Sequence, residues 1–154
     1  MSSTTDRDAG KEADLPLAGI RVVDLSHIVA GPFTGAILAD FGAEVIKIEP
    51  PGKGDRAREV APFVERGNAR VSGFFATVNR NRRGVVLDLK SAPGKEAFRK
   101  LVSVSDVLIE NFVPGTMQRL GLEYELLRHI NPRLIYVAIS GFGQLAPYVG
   151  PWSS

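Results

Sequence analysis

Short apolar runs alternate with amphipathic stretches along most of this 154-residue chain. Runs such as IRVVDL and LIYVAI are rich in β-branched residues and too short for a typical helix, which indicates strands buried in a sheet. Stretches in which apolar residues recur every three or four positions predict helices. The predicted strands cover residues 20–25, 43–48, 85–89, 107–109 and 134–139, and the predicted helices cover residues 31–41, 74–78, 94–104 and 124–130.

Proline and glycine mark several of the predicted element ends. Pro32 falls in the first turn of a helix, where its missing N–H is not needed, and Gly42 is a typical C-terminal cap. Asn131 precedes Pro132, which ends the last helix. The segment 49–73 is rich in proline, glycine and charge and is too long for a simple turn, so we expect a functional loop or a covering segment there.

Strands that alternate with helices predict an α/β fold: a Rossmann-like, mostly parallel sheet with helices on both faces. Ligands bind such sheets beyond the carboxyl ends of the strands. The residues that follow the five predicted strands are polar or small, and they are Ser26 and His27, Glu49 and Pro50, Asp88 to Lys90, Asn111 and Phe112, and Ser140 and Gly141. This pattern favours a ligand-binding domain over an inert scaffold.

Composition narrows the class of protein further. Hydrophobic residues make up 44% and charged residues 23%, which is typical of a soluble globular domain. A net charge of +2 is too small to indicate nucleic-acid binding unless it is clustered. The absence of cysteine excludes disulfides and a cysteine nucleophile and fits a cytoplasmic location. The polar segment 1–14 predicts a disordered leader, which leaves residues 15–154 as one domain.

Several residues at the predicted strand tips suit a phosphate-bearing ligand. Lys90 and Arg119 could each hold a phosphate, although a lysine after a strand is often only a solvated charge. The run 79–83 (NRNRR) could attract phosphates or form a solvated turn. His27 has no carboxylate nearby in the sequence, so we expect a binding or structural role and no catalysis.

Other candidates leave two interpretations open. Asn111 and Phe112 could order a flat heterocycle, or Phe112 could belong to the core. The helix start at Gly31 could favour an anion or be simple turn chemistry. Asp24 and Asp88 lie within apolar predicted strands, which indicates structural hydrogen bonds. No G-x-G-x-x-G pattern supports a nicotinamide cofactor.

Four stretches, in this order and spacing, resemble one known family. They are residues 24–55 (DLSHIVAGPFTGAILADFGAEVIKIEPPGKGD), 79–90 (NRNRRGVVLDLK), 106–122 (DVLIENFVPGTMQRLGL) and 131–144 (NPRLIYVAISGFGQ). Together they resemble the class III CoA-transferases, a family that includes formyl-CoA transferase, carnitine CoA-transferase and α-methylacyl-CoA racemase. The resemblance extends from about residue 15 to about residue 150.

The resemblance implies a CoA-binding domain of Rossmann type, joined in full-length members to a smaller domain, with two subunits interlocked as rings. It implies acyl-CoA and a carboxylic acid as substrates, with no prosthetic group, no metal, no nucleic acid and no membrane. The family's transferases pass CoA through an aspartyl-CoA intermediate. The positions that match the family's CoA contacts are His27, Ile28, Ala30, Leu87, Lys90, Asn111, Phe112, Arg119 and Leu120.

Departures from the family pattern shape the functional prediction. The nucleophilic aspartate of the transferases is expected beyond Gly150 and has no match here, so no catalytic residue is predicted and the chain is interpreted as an N-terminal CoA-binding part, inactive alone. The alternatives are a stand-alone CoA-binding module or subunit, an acyl-CoA racemase fragment, or a degenerate fragment. Val29 stands where formyl-CoA transferases carry glutamine, and Pro50 stands where some members carry an arginine that contacts the nucleotide.

Overall fold

The computed structural model describes residues 15–143, which form a five-stranded parallel sheet and a separate two-stranded hairpin. The strands are β1 Arg21–Asp24, β2 Glu44–Glu49, β3 Phe63–Arg66, β4 Ala69–Ser72, β5 Arg83–Val86, β6 Val107–Glu110 and β7 Ile135–Ala138. The helices are α1 Ala30–Asp40, α2 Gly73–Val78, α3 Ala92–Val102, α4 Thr116–Leu120 and α5 Tyr124–Ile130, with a 3₁₀ turn at Arg56–Glu59. Within this range no helix has the length and apolar character that a membrane span requires.

The sheet has the strand order β5-β2-β1-β6-β7, and all neighbouring strands run parallel. The chain builds outward from β1 through β2 to β5 and then returns to the other side of β1. This reversal places a crevice between the carboxyl ends of β1 and β6, where doubly wound sheets bind their ligands. Strand order alone therefore directs attention to the residues that follow β1 and β6.

Alternate residues along the central strands face two separate apolar layers. Val22 and Ile109 lie in the layer that contains Ala39 of α1. Val23 and Leu108 lie in the opposite layer, with Phe98 of α3 and Leu127 of α5, among other buried residues. Helices therefore cover both faces of the sheet, as the sequence predicts.

Local sequence explains where the helices on the second face begin and end. Ser91 caps α3 by accepting a hydrogen bond at Oγ from the Gly94 amide at 3.1 Å, and Pro93 stands in its first turn. The short helix α4 lies between Gly115 and Gly121, whose φ angles of 84° and 66° are left-handed. These two glycines fix α4 beside the carboxyl end of β6.

Some predicted boundaries are wrong. The strand predicted at 85–89 is Arg83–Val86. The Leu87 amide still donates to the Glu49 carbonyl of β2 at 3.0 Å, but regular pairing ends there, and the side chains of Leu87 and Leu89 pack against the core. The segment 49–73 contains the 3₁₀ turn and the β3–β4 hairpin, and α4 is a further helix that the pattern did not predict. The predicted leader 1–14 and the residues from Gln144 onward lie outside the described range.

Candidate functional site

A cleft of about 230 Å³ opens at the carboxyl end of the sheet. Leu25, Ile48 and Pro50 form part of its wall, which makes the interior largely apolar. The positions predicted to contact CoA that line this cleft are His27, Leu87, Lys90, Phe112 and Leu120. The structure thus gathers residues from four separate parts of the sequence around one opening.

Residues 26–30, which comprise the loop after β1 and the first residue of α1, border this cleft; we call this segment the β1 tip loop. The ring of His27 lies against the ring of Phe112, with their centroids 5.6 Å apart. Ile28 has a φ of 69°, a left-handed conformation that β-branched residues rarely adopt. Ile28 and Ala30 are exposed at the start of α1, so they lie beside the cleft and do not form its wall.

Asn111 joins the tips of β1 and β6. Its side-chain oxygen accepts a hydrogen bond from the His27 amide at 2.7 Å, and its side-chain nitrogen donates to the His27 carbonyl at 2.8 Å. Asparagine retains one further donor and one further acceptor position. The Asn111 side chain therefore fixes the backbone of the β1 tip loop across the crevice.

Arg119 lies on the exposed side of α4, near the cleft. Its Nη2 donates to Thr116 Oγ1 at 2.8 Å, and Thr116 is part of the cleft wall. The guanidinium also lies close to Gly115, since a Cβ placed on that glycine would be 3.2 Å from Nη1. Arg119 is thus held at the rim of the cleft, one helical turn from its interior.

The arginines of residues 79–83 are paired with acids. Arg80 contacts Asp40 and Arg83 contacts Glu44, both at the surface. Arg82 forms an ion pair with Asp24 in which the two side chains are only 3% and 0% exposed. For Arg82 both sequence interpretations, a phosphate-attracting cluster and a solvated turn, are wrong, because burial and its carboxylate partner make this arginine part of the interior.

Asp24 makes the structural hydrogen bonds that the sequence predicts. Its Oδ1 accepts from the Ser26 amide at 2.8 Å and from the Ser26 hydroxyl, while its Oδ2 faces Arg82. Burial lowers the pKa of Arg82, and the Asp24 carboxylate opposes that effect. Arginine keeps its proton in proteins, so Arg82 stays charged.

A second buried ion pair, between Lys47 and Asp55, was not predicted. Lys47 is 1% exposed and Asp55 is 0% exposed, and Lys47 Nζ lies 2.8 Å from Asp55 Oδ2. A lysine inside the apolar run EVIKI is itself a signal, because a buried ammonium requires a partner. The partner lies eight residues further on, in a loop whose fold the pattern does not define.

Asp55 also brings a carboxylate to His27, which lacks one nearby in the sequence. Asp55 Oδ1 lies 3.7 Å from His27 Nδ1, too far for a hydrogen bond, and His27 Nδ1 is buried without another partner. Burial raises the pKa of the Asp55 carboxyl, but the His27 ring, the Lys47 ammonium and the amides of Ala57 and Ile28 lower it further. The net pKa lies well below the ordinary value, so Asp55 is ionised at neutral pH.

A larger cavity, of about 500 Å³, lies between α4, α5 and β7. Its wall includes the buried carboxyl of Glu110, which accepts hydrogen bonds from the Phe112 amide at 2.7 Å and from Tyr136 Oη at 3.2 Å. Burial raises the pKa of Glu110 despite these two hydrogen bonds, which act in the opposite direction. Burial together with the Glu110 carboxylate also raises the pKa of Tyr136.

The five-stranded parallel sheet with helices on both faces places this chain in the α/β class, and the cleft lies at the carboxyl end of that sheet. Comparison with known families then assigns the domain. The sequence model of CoA-transferase family III matches residues 17–154, and the chain belongs to this family. The family resemblance found in the sequence is therefore confirmed.

Individual relatives support the same assignment. The acetyl-CoA:oxalate CoA-transferase of Acetobacter aceti is 49% identical over 132 residues, covering 86% of this chain and 33% of that protein. The succinyl-CoA:glutarate CoA-transferase of Mus musculus is 42% identical, covering 86% and 30%. A CaiB/BaiF family protein from Brucella suis superposes with a TM-score of 0.82 at 44% identity, covering 88% of this chain and 36% of that one. The chain spans about a third of the length of these relatives.

Proposed function

We propose that this chain supplies the CoA-binding part of an enzyme that transfers CoA from an acyl-CoA to a carboxylic acid through an aspartyl-CoA intermediate. The observation that carries the proposal is the cleft at the carboxyl end of the sheet, whose wall contains five positions that match the family's CoA contacts. The names of the relatives, which are acyl-CoA or CoA-transferases, favour transfer over racemisation.

The chemistry of the cleft suits the nucleotide end of CoA. Leu87, Leu120 and Phe112 offer apolar surface for an adenine ring. Lys90 and Arg119 supply cations for the 3′-phosphate and the pyrophosphate, and a guanidinium can hold a phosphate through two parallel hydrogen bonds. In this proposal the protein binds and orients CoA, and these residues take no part in bond making.

We assign no catalytic residue to this chain. In the proposed reaction, the nucleophilic aspartate of the family's transferases, which has no match in this chain, attacks the acyl-CoA carbonyl. This attack releases CoA thiolate and leaves a mixed anhydride. The thiolate then attacks the aspartyl carbonyl, so the first carboxylic acid departs and aspartyl-CoA remains. The acceptor carboxylate attacks this thioester and releases CoA thiolate, which leaves a second mixed anhydride. The thiolate then attacks the acceptor's acyl carbonyl in that anhydride, so the new acyl-CoA forms and the enzyme aspartate departs as a free carboxylate.

Titration calorimetry of the 154-residue chain with CoA and with pantetheine tests the proposal. Pantetheine lacks the nucleotide, so we expect heat and a rise in melting temperature with CoA but neither with pantetheine. We also expect no acyl-CoA turnover by this chain alone. Saturation with CoA that produces neither heat nor a melting shift would refute the CoA-binding proposal.

Two further features enter the proposal from the family resemblance. The full-length enzyme is an interlocked homodimer, and its location is cytoplasmic. Cross-linking and sizing of the full-length protein would test the first feature, since a monomer at catalytic concentrations contradicts it.

A further inference from the structure

We infer that Asp55, fixed by Lys47, is a positioning residue for the proposed ligand, acting through the β1 tip loop. The inference rests on the proposed CoA-binding function, because three of the proposed contacts, His27, Ile28 and Ala30, belong to this loop. Asp55 itself is fully buried and does not reach the cleft wall. Its effect on the ligand is therefore transmitted by the backbone.

The buried pair holds the loop at two points. Lys47 Nζ donates to the Ser26 carbonyl and to Asp55 Oδ2, the latter at 2.8 Å. Asp55 Oδ1 accepts a hydrogen bond from the Ile28 amide at 3.0 Å. The carbonyl before His27 and the amide after it are thus both bonded to one ion pair.

The conformation of the loop depends on such bonds. The left-handed φ of Ile28 is unfavourable for a β-branched residue and persists only where its surroundings impose it. Asn111 holds His27 from the β6 side, and Asp55 holds Ile28 from the β2 side. Without the Asp55 acceptor, the Ile28 amide would lose its partner and the backbone could relax to an extended conformation.

Asp55 is itself held by residues outside the β1 tip loop. Its own amide donates to Glu49 Oε2 at 2.7 Å, and Arg58 donates to both Glu49 oxygens at 2.8 and 2.6 Å. Asp55 Oδ1 also caps the 3₁₀ turn by accepting from the Ala57 amide at 2.9 Å. Its position is therefore set by β2 and the 3₁₀ turn, independently of the loop that it holds.

Stability alone does not account for this arrangement. Two buried charges carry a large desolvation cost, and a well-packed apolar pair of similar volume often stabilises a fold equally well. What an apolar pair cannot supply is the acceptor for the Ile28 amide and the donor for the Ser26 carbonyl. This difference allows the role in positioning to be separated from a role in folding.

Two double variants that differ only at position 55 distinguish a role in positioning the β1 tip loop from a role in folding. Lys47→Met with Asp55→Leu removes both charges and the acceptor, whereas Lys47→Met with Asp55→Asn removes the charges and keeps a side-chain oxygen. We expect the first to weaken CoA binding about tenfold or more and the second to recover a large part of that loss. Amide hydrogen exchange without ligand should show Ile28 protected in the wild type and in the second variant, and unprotected in the first.

Leu127→Ala is the matched control. Leu127 is fully buried in the apolar layer that contains α5, so its truncation should lower the melting temperature. It should not change the dissociation constant for CoA at a temperature where the variant is folded. If CoA affinity falls in proportion to melting temperature in all three variants, Leu127→Ala included, the positioning role is overturned.

The outcomes separate this inference from the proposed function. If the wild type binds CoA and the variant Lys47→Met with Asp55→Leu binds it with the same dissociation constant, the inference is overturned and the proposed function stands. A wild-type chain that does not bind CoA would refute the proposed function, and the ligand role of Asp55 with it. The exchange data would then still report whether Asp55 holds the loop.

Discussion

The guanidinium of Arg82 forms a buried ion pair with the carboxylate of Asp24, 58 residues earlier in the chain. Arg82 also donates to the carbonyls of Pro32 and Val78, so one side chain connects β1, α1 and α2. This contact makes one arginine of the basic run 79–83 part of the interior, while Arg80 and Arg83 stay at the surface. It also removes Arg82 from the set of cations that a ligand could meet.

Loss of Arg82 should therefore destabilise the fold strongly. Arg82→Met leaves the buried Asp24 side chain with its Ser26 hydrogen bonds but without its cationic partner, which we expect to lower the free energy of unfolding by about 3–5 kcal/mol. Arg83→Met is the control, because Arg83 pairs with Glu44 at the surface and its side chain is 77% exposed; we expect a change within about 0.5 kcal/mol. Urea denaturation measures the free energy of unfolding of both variants. Equal losses would contradict the conclusion that Arg82, unlike Arg83, stabilises the interior.

Glu110 should make stability fall as pH rises from mildly acidic values. Its folded pKa lies above the ordinary 4.5, so the folded state retains a proton that the unfolded state releases. Well below pH 4.5, Glu110 is protonated in both the folded and the unfolded protein and does not affect the pH dependence of stability. As pH rises through the folded pKa, ionising the buried Glu110 costs the folded protein an increasing part of its free energy of unfolding. Glu110→Gln should therefore gain stability relative to the wild type between pH 4 and 7.

Urea unfolding at several pH values between 4 and 7 checks this prediction, with Glu96→Gln as the control. Glu96 is exposed and its pKa is lowered by its hydrogen bond with Lys100, so its replacement should show no such gain. If the difference between Glu110→Gln and the wild type does not change with pH, Glu110 titrates normally in the folded protein.

The cations at the cleft should distinguish CoA from dephospho-CoA. If Lys90 or Arg119 holds the 3′-phosphate, its replacement by alanine should weaken CoA binding about tenfold and affect dephospho-CoA much less. Calorimetric titration of both ligands into both variants gives the comparison. Lys95→Ala in α3, outside the cleft wall, serves as a charge-matched control. Equal losses for the two ligands would assign the cation to another group of CoA.

Gly31 should not tolerate a side chain. A Cβ at this position would overlap the buried Ser26 side chain, so Gly31→Ala should cost about 1–3 kcal/mol of stability by overpacking. Gly84→Ala is the control, because a Cβ there meets nothing within 4 Å. Thermal melting compares the two, and similar melting temperatures would show that the β1 tip loop can move away from α1.

The parallel sheet and its two helical layers could be predicted because local pattern and global fold agree. The run around Val22 and Val23 is apolar on both faces, and both faces are indeed covered. Pro32 and Gly42 likewise marked a helix start and a helix end near their observed positions. Where the chemistry of a single residue determines the local backbone conformation, the sequence pattern was sufficient to predict the element boundary.

The ion pairs of the interior could not be predicted, since loop and strand geometry decides which carboxylate meets each buried cation. Nothing near Lys47 or Arg82 indicates which carboxylate neutralises it, because Asp55 and Asp24 are brought in by loop and strand geometry. The strand at 83–86 was misplaced for a related reason. The apolar run continues to Leu89, but the last backbone hydrogen bond to β2 is the one from the Leu87 amide to the Glu49 carbonyl.

The amide of Asn111 has a consequence for the chemical ageing of the protein. It donates one hydrogen bond to His27 and accepts another, as a neighbouring peptide group would. Deamidation would replace the donor with a second acceptor, and the new carboxylate would repel the His27 carbonyl. The two strand tips would then separate at the crevice while the apolar layers stay intact. Old preparations would therefore lose ligand affinity before they lose their fold.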